Sequence, residues 1–252
     1  MQTIEPTGLV AARLELHYAA QIVAACADAW LPERADDGHT AMRWESPIMI
    51  GGLSPTEVTI GIRAVDFAVT AWIDDTLETF PLAGKTLAEA MAWADSRFGP
   101  PRGARMRDYA MPASPLASGG RFVGYEPELA ELARWYDFGL AIVKTAIAGT
   151  RSTEISIWPH HFDLGAIVYL DPANDTRQIG VGLSPGDGYY AEPYVYVTPS
   201  PLTSKQFPAL AGGGIWHTAE FTGAVLTAST LEAGGDGNEF IASARAAARA
   251  ML

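Results

Sequence analysis

At 252 residues, 48% apolar and 18% charged, the chain has enough apolar side chain for a sizeable core, and intrinsic disorder is excluded as its main state. Its 17 basic residues against 29 acidic ones leave a formal charge of −12. That charge repels phosphate backbones and anionic lipid, so neither nucleic acid nor a membrane surface is expected as a partner. Cys26 is the only cysteine, which excludes an intrachain disulfide and a cysteine-based zinc cluster.

The opening MQTIEPTGL has neither a basic n-region nor an apolar h-region, and no apolar run reaches the ~18 residues of a spanning helix. The expected location is cytoplasmic. Residues 8–31 read as a helix, with Leu9, Ala12, Leu16, Ala19, Val23, Ala27 and Trp30 at the three- and four-residue spacing of one apolar face. Strands follow in TAMRWESPIMIGG (40–52), EVTIGIRAV (57–65) and FAVTAWI (67–73). Thr86-Leu87-Ala88-Glu89 is a capping box ahead of a helix ending near Phe98.

The same order then repeats. Residues 126–148 form a second amphipathic helix through Leu129, Leu132, Tyr136, Leu140, Val143 and Ile147. Ile22-Val23 recurs there as Ile142-Val143, 120 residues on. Strands are expected in TEISIWPHHFDLGAIVYL (153–170), RQIGVGL (177–183) and EPYVYVTP (192–199), and in an added hairpin of GIWHTAEF (214–221) and AVLTAST (224–230) turned around Gly223. Asp236 opens a last, alanine-rich helix. The Pro/Gly/Ser-rich stretch 99–124 lacks either period and reads as a linker or a long crossing loop. Residues 1–124 hold 10 basic and 15 acidic side chains and residues 125–252 hold 7 and 14, so neither half is basic. The expected class is α+β: two pseudo-repeated α-β-β-β-α units, 1–98 and 125–252, with mainly antiparallel sheet and helices packed on it.

Several islands carry a family resemblance. They are Leu16-His17-Tyr18-Ala19-Ala20-Gln21-Ile22-Val23, Phe162-Asp163-Leu164, Gly182-Leu183-Ser184-Pro185-Gly186-Asp187, Glu192-Pro193-Tyr194-Val195-Tyr196 and Pro199-Ser200-Pro201, with Trp216 ahead of a late hairpin. Together with the element order they resemble the bacterial family called domain of unknown function 5996 (DUF5996). The resemblance implies this fold and no assigned activity. His17, Gln21 and Asp163 match its pattern, whereas Pro159-His160-His161 does not.

Five histidines are present: His17, His39, His160, His161 and His217. Trp158-Pro159-His160-His161-Phe162-Asp163 places two imidazoles and a carboxylate within four residues, the makings of an acid/base pair or a metal site. On an extended strand, however, His161 shares a face with Asp163, and His160 with Trp158 and Phe162, unless Pro159 starts a bend. Glu192, Tyr194, Tyr196 and Thr198 share one strand face, a mixture of rings, hydroxyls and carboxylate that suits a polar organic molecule. His17 and Gln21 share a helix face at i,i+4. His39 lies in the acidic loop Asp36-Asp37-Gly38-His39-Thr40, and His217 alternates with Trp216 on a strand. Asp187 reads as a turn former.

No Gly-x-Gly-x-x-Gly, phosphate-loop, Gly-x-Ser-x-Gly or His-Glu-x-x-His pattern occurs, and no cofactor or metal is expected. The expected function is binding of a small polar or aromatic molecule in a cavity lined by rings and histidines, drawn from Trp158, His160, His161, Asp163, Glu192, Tyr194, Tyr196, Trp216, His217, His17 and His39. Two alternatives stand beside it: an enzyme using a His/Asp acid–base or metal site at 160–163, and a structural or protein-interaction module. An oligomer is compatible with each.

Overall fold

The structure, a computed structural model, describes residues 5–52, 54, 57–73, 76–98, 104–204 and 206–252. Residues 1–4 of the opening segment and 99–103 of the expected linker lie outside the described residues. The fold is α+β, with two antiparallel sheets and a long helix ahead of each. The chain divides into two compact units, Met1–Arg134 with Ser156–Phe162, and Trp135–Ile155 with Asp163–Leu252.

In the first unit a 3-10 turn at Pro6–Leu9 leads directly into α1 (Val10–Trp30). Alanine and unbranched side chains favour the helix, and Leu16, Ala19, Ile22 and Val23 are fully buried. Each large apolar side chain in that set contributes about 1.5–3 kcal/mol relative to exposure. By length and composition Pro6–Trp30 is long and apolar enough to cross a membrane, but 83% of its most apolar window is buried inside the protein.

Behind α1 runs a meander of β1 (Arg43–Glu45), β2 (Ile48–Ile50), β3 (Thr59–Arg63), β4 (Ala68–Ile73) and β5 (Thr76–Pro81), paired in chain order. Gly51 lets Val23 of α1 approach the backbone, since a Cβ there would lie 2.7 Å from Val23 Cγ1. Strand β5 escaped the sequence pattern because it is an edge with no fully buried face, and its Glu78 and terminal Pro81 discourage further pairing. The capping box before α2 (Leu87–Phe98) forms as expected: Thr86 N–H donates to Glu89 Oε2 at 2.8 Å and Glu89 N–H to Thr86 Oγ1 at 3.1 Å.

Residues 104–124 form a crossing segment tied down along its length. The Tyr18 hydroxyl donates to Pro112 O at 2.8 Å. Buried Glu15 accepts from the N–H groups of Val123 (2.6 Å) and Gly124 (2.9 Å) just before α3 (Glu126–Ile147). Cys26 is buried on α1, and burial pushes its thiol up to about 12. A thiol held protonated in this way is expected to stay inert to a disulfide reagent in the native protein and to react once urea unfolds it. Release of the thiol chromophore with and without denaturant checks this.

Within the second unit, β6 (Arg151–Ser152), β8 (Leu164–Tyr169), β9 (Gln178–Ser184), β10 (Tyr194–Ser200), β11 (Ile215–His217) and β12 (Gly223–Thr227) take the order β11-β12-β10-β9-β8-β6. One face is apolar: Leu164, Val168, Ile179, Val181, Leu183, Val195, Val197 and Ala224 are fully buried. Helix α5 (Gly237–Ala250) packs on that face, and Gly139 of α3 seats against Leu183. Asp236 caps α5 by accepting from Asn238 N–H and Glu239 N–H at 2.8 and 3.0 Å. The late hairpin turns at 218–222, so Gly223 begins β12 instead of forming the turn. Thr227 ends that strand early by capping the short α4 (Ala228–Glu232).

The long strand expected over 153–170 does not exist. Its start is β7 (Ser156–Ile157) in the first unit, where Ile157 pairs with Met42 through N···O distances of 2.7 and 2.9 Å. Residues 158–162 then turn. Pro159 lacks an N–H for a ladder, Phe162 takes a left-handed φ of 62°, and Phe162 N–H closes back on Trp158 O at 2.6 Å.

Candidate functional site

The predicted residues fall into three groups. The first is the Trp158–Phe162 turn against α1. The Pro159 carbonyl accepts from His17 Nε2–H at 2.8 Å and from Gln21 Nε2–H at 2.6 Å, so the i,i+4 pair clamps the turn. A carbonyl can only accept, which puts the His17 proton on Nε2. The His17 ring stacks on Phe162 with centroids 4.6 Å apart and 7° between planes. Burial drops its pKa to about 4 against the pull of the Pro159 bond, with Arg13, His160 and His161 adding to the drop. His160 and His161 do not diverge as strand neighbours; the turn brings their rings to 4.3 Å, with Tyr109 at 5.5 Å and Trp158 at 6.0 Å from His160.

His39 belongs to a second, closed group. Its side chain is 1% exposed rather than placed at a loop mouth. Nδ1 accepts from Arg34 N–H at 3.2 Å, so Nε2–H donates to Asp28 at 3.1 Å. Arg107 bridges Asp28 and Asp37, each at 2.5 Å. Burial raises the Asp28 carboxyl, but the bonds from Arg107 and His39 outweigh it and hold the carboxyl below its ordinary range. This network fastens the crossing segment to α1. Among the described residues no group of three or more His, Cys, Asp or Glu is placed to hold a metal ion.

The third group lies on the face of the second sheet opposite the one that α5 covers, and Tyr194, Ser184 and Val225 on it are buried. Cross-strand partners share a face, so the register puts Gly165, Gly182, Tyr196 and Val225 in one row and Thr198, Gly223 and His217 in another. Trp216 pairs with Ala224 and so points to the other face, where its Nε1–H donates to Pro208 O at 2.7 Å. It cannot line the same surface as Tyr196. Glu192 is also engaged away from the rings, accepting from Ser229 N–H (2.6 Å) and Ser229 Oγ–H (2.9 Å) at the first turn of α4.

On this face Tyr196 lies across the two glycines. Its ring keeps some exposure while its hydroxyl is buried and donates to the Asp163 carboxylate. Burial, then the Asp163 charge, pushes that phenol well above its ordinary range. Asp163 precedes β8 instead of sitting within a strand. Tyr194 donates to Asp187 Oδ2 at 2.6 Å, and Asp187 Oδ1 accepts from Tyr189 N–H and Tyr190 N–H, which makes it the turn former expected. Tyr190 Oη donates to His217 Nδ1 at 3.0 Å while His217 Nε2–H goes to Ala219 O. The rings run on continuously: Tyr196–Tyr194 at 6.3 Å, Tyr194–Tyr190 at 4.9 Å, Tyr190–His217 at 5.6 Å and His217–Phe221 at 4.1 Å.

Sequence reasoning missed Tyr190, a loop residue without periodicity, and Phe221, which was expected at the end of a strand and lies in the turn after β11. The paired glycines, bare on one face and opposite a tyrosine, were the available signal. A Cβ at Gly182 would meet Tyr196 and would lie 2.6 Å from Leu164 O. Gly182→Ala is therefore expected to displace the ring and cost about 2 kcal/mol, read by urea denaturation, with loss of the Tyr196–Asp163 bond read by NMR of the phenol. Comparison of the chain with protein-family models, with curated proteins and with solved structures found no match.

Proposed function

We propose that the protein binds a small polar or aromatic molecule on the tyrosine face of its second sheet, as a cytoplasmic protein of the resembled DUF5996 family. The observation that supports this is the row of touching rings, Tyr196, Tyr194, Tyr190 and His217, whose hydroxyl and imidazole groups are already oriented by Asp163, Asp187 and each other. Rings whose orientation is set beforehand lose little freedom when a ligand settles on them. On this face Tyr194 and Val225 are buried, while Tyr190, Tyr196 and His217 keep part of their surface exposed, and those three are the rings a ligand could reach.

A thermal-shift screen of metabolites tests the reading, since a ligand that binds only the native state raises Tm. Hits are expected whose shifts shrink in Tyr190→Leu and His217→Ala and persist in the distant control Tyr18→Phe. A screen without hits, or hits indifferent to both substitutions, overturns it.

A further inference from the structure

We propose that the molecule taken by this face is a planar aromatic one, held by the flat and the edges of its ring against Tyr190, His217 and Phe221. The inference rests on the binding reading above and concerns how the ligand is held.

The side chains already form an aromatic array. His217 and Phe221 stack with centroids 4.1 Å apart and 17° between planes. Tyr189 meets both at steep angles, 5.4 Å from His217 and 5.1 Å from Phe221, and Tyr190 meets His217 at 5.6 Å and 61°. Stacked and edge-to-face contacts at such separations are the arrangements in which aromatic rings attract one another beyond the area they bury. Tyr189 is exposed, and Tyr190, His217 and Phe221 are half-buried, so the array ends at solvent. Farther along the same face Arg151 lays its guanidinium 4.3 Å from the centre of the Tyr169 ring. There the chain itself supplies the flat group that covers a ring.

The polar hydrogens of these rings are committed within the protein. The hydroxyls of Tyr189, Tyr194 and Tyr196 donate to Glu220, Asp187 and Asp163. A carbonyl can only accept, so His217 Nε2–H donates to Ala219 O, and Nδ1 accepts from the Tyr190 hydroxyl. Phe221 has no polar hydrogen to give. A ligand that needs hydrogen bonds from these rings would have to open one of the existing ones and bear that cost. A planar ring adds contacts and opens none.

Two neutral probes with the same hydroxyl group decide the matter: benzyl alcohol and cyclohexylmethanol, titrated at neutral pH and followed by NMR of the tyrosine and His217 resonances. The saturated ring has more apolar surface to remove from water, so burial alone favours cyclohexylmethanol. Ring–ring contact reverses that order, and benzyl alcohol is expected to bind about fivefold more tightly. Tyr190→Phe keeps the ring and is expected to keep the preference, whereas Tyr190→Leu and Phe221→Leu are expected to shrink it. Equal or tighter binding of cyclohexylmethanol at the same resonances overturns the aromatic inference and leaves the binding reading intact. A preference lost as fully in Tyr190→Phe as in Tyr190→Leu assigns recognition to the hydroxyl and overturns it too. No shift with either probe also overturns it, and the metabolite screen then judges the binding reading separately.

Discussion

The unfolding free energy is expected to fall by about 3 kcal/mol between pH 7 and pH 4 through His17 alone. Its imidazole sits at an ordinary 6.5 in the unfolded chain and at about 4 in the native protein, where burial is the largest cause and Arg13, His160 and His161 add to it. Above pH 6.5 both states are neutral and the group contributes its full stabilisation. As pH falls below 6.5 the unfolded chain takes up a proton that the native state refuses, so stability declines until pH passes about 4. His17→Gln keeps an N–H donor for Pro159 O without a titrating ring. It is expected to flatten the slope over that window, measured as urea midpoints at several pH values for both proteins. An unchanged slope in the variant would falsify the assignment to His17.

Removing the carboxylate of Glu15 is the second large effect. Two N–H groups converge on it, Val123 at 2.6 Å and Gly124 at 2.9 Å, and the side chain itself is buried. Hydrogen bonds to a charged acceptor are worth about 1.5–3 kcal/mol each, discounted here because Val123 is exposed and water can reach its amide. Glu15→Ala is therefore expected to cost about 3 kcal/mol. Glu15→Gln is expected to lose roughly half as much, since one oxygen remains while its amide group faces a second donor. Denaturant unfolding gives the totals. Hydrogen exchange at residues 123–124 shows whether the loss is local, with faster exchange there than in the second sheet; uniform protection in Glu15→Ala would contradict the tie.

The elements carried by a strong local period were legible in the sequence. Helix α1, helix α3 and strands β9 and β10 appear within a few residues of where spacing puts them, because burial on one side of a helix or strand repeats at the period of that element. The same holds for the starts of α2 and α5, where the capping side chain accepts from an N–H three residues on. Strand β5 was not legible, since an edge strand without a buried face has no alternation to read. The histidine turn was misread as strand because Pro159 marks a break without saying which way the chain bends afterwards.

By itself, then, the sequence determined the α+β class, the helix–sheet–helix order occurring twice, and the parity that sets Tyr194 and Tyr196 on one side of β10. Tertiary structure alone decided the partners. His17 meets Pro159 across 142 positions of sequence, and Tyr196 meets Asp163 across 33. Strand register alone puts His217 on the tyrosine face and Trp216 behind it. The physical reason is that propensity and periodicity act over one or two turns of chain. Which donor reaches which carboxylate depends on register and packing between distant segments, and a slip of one residue reverses every side chain on a strand.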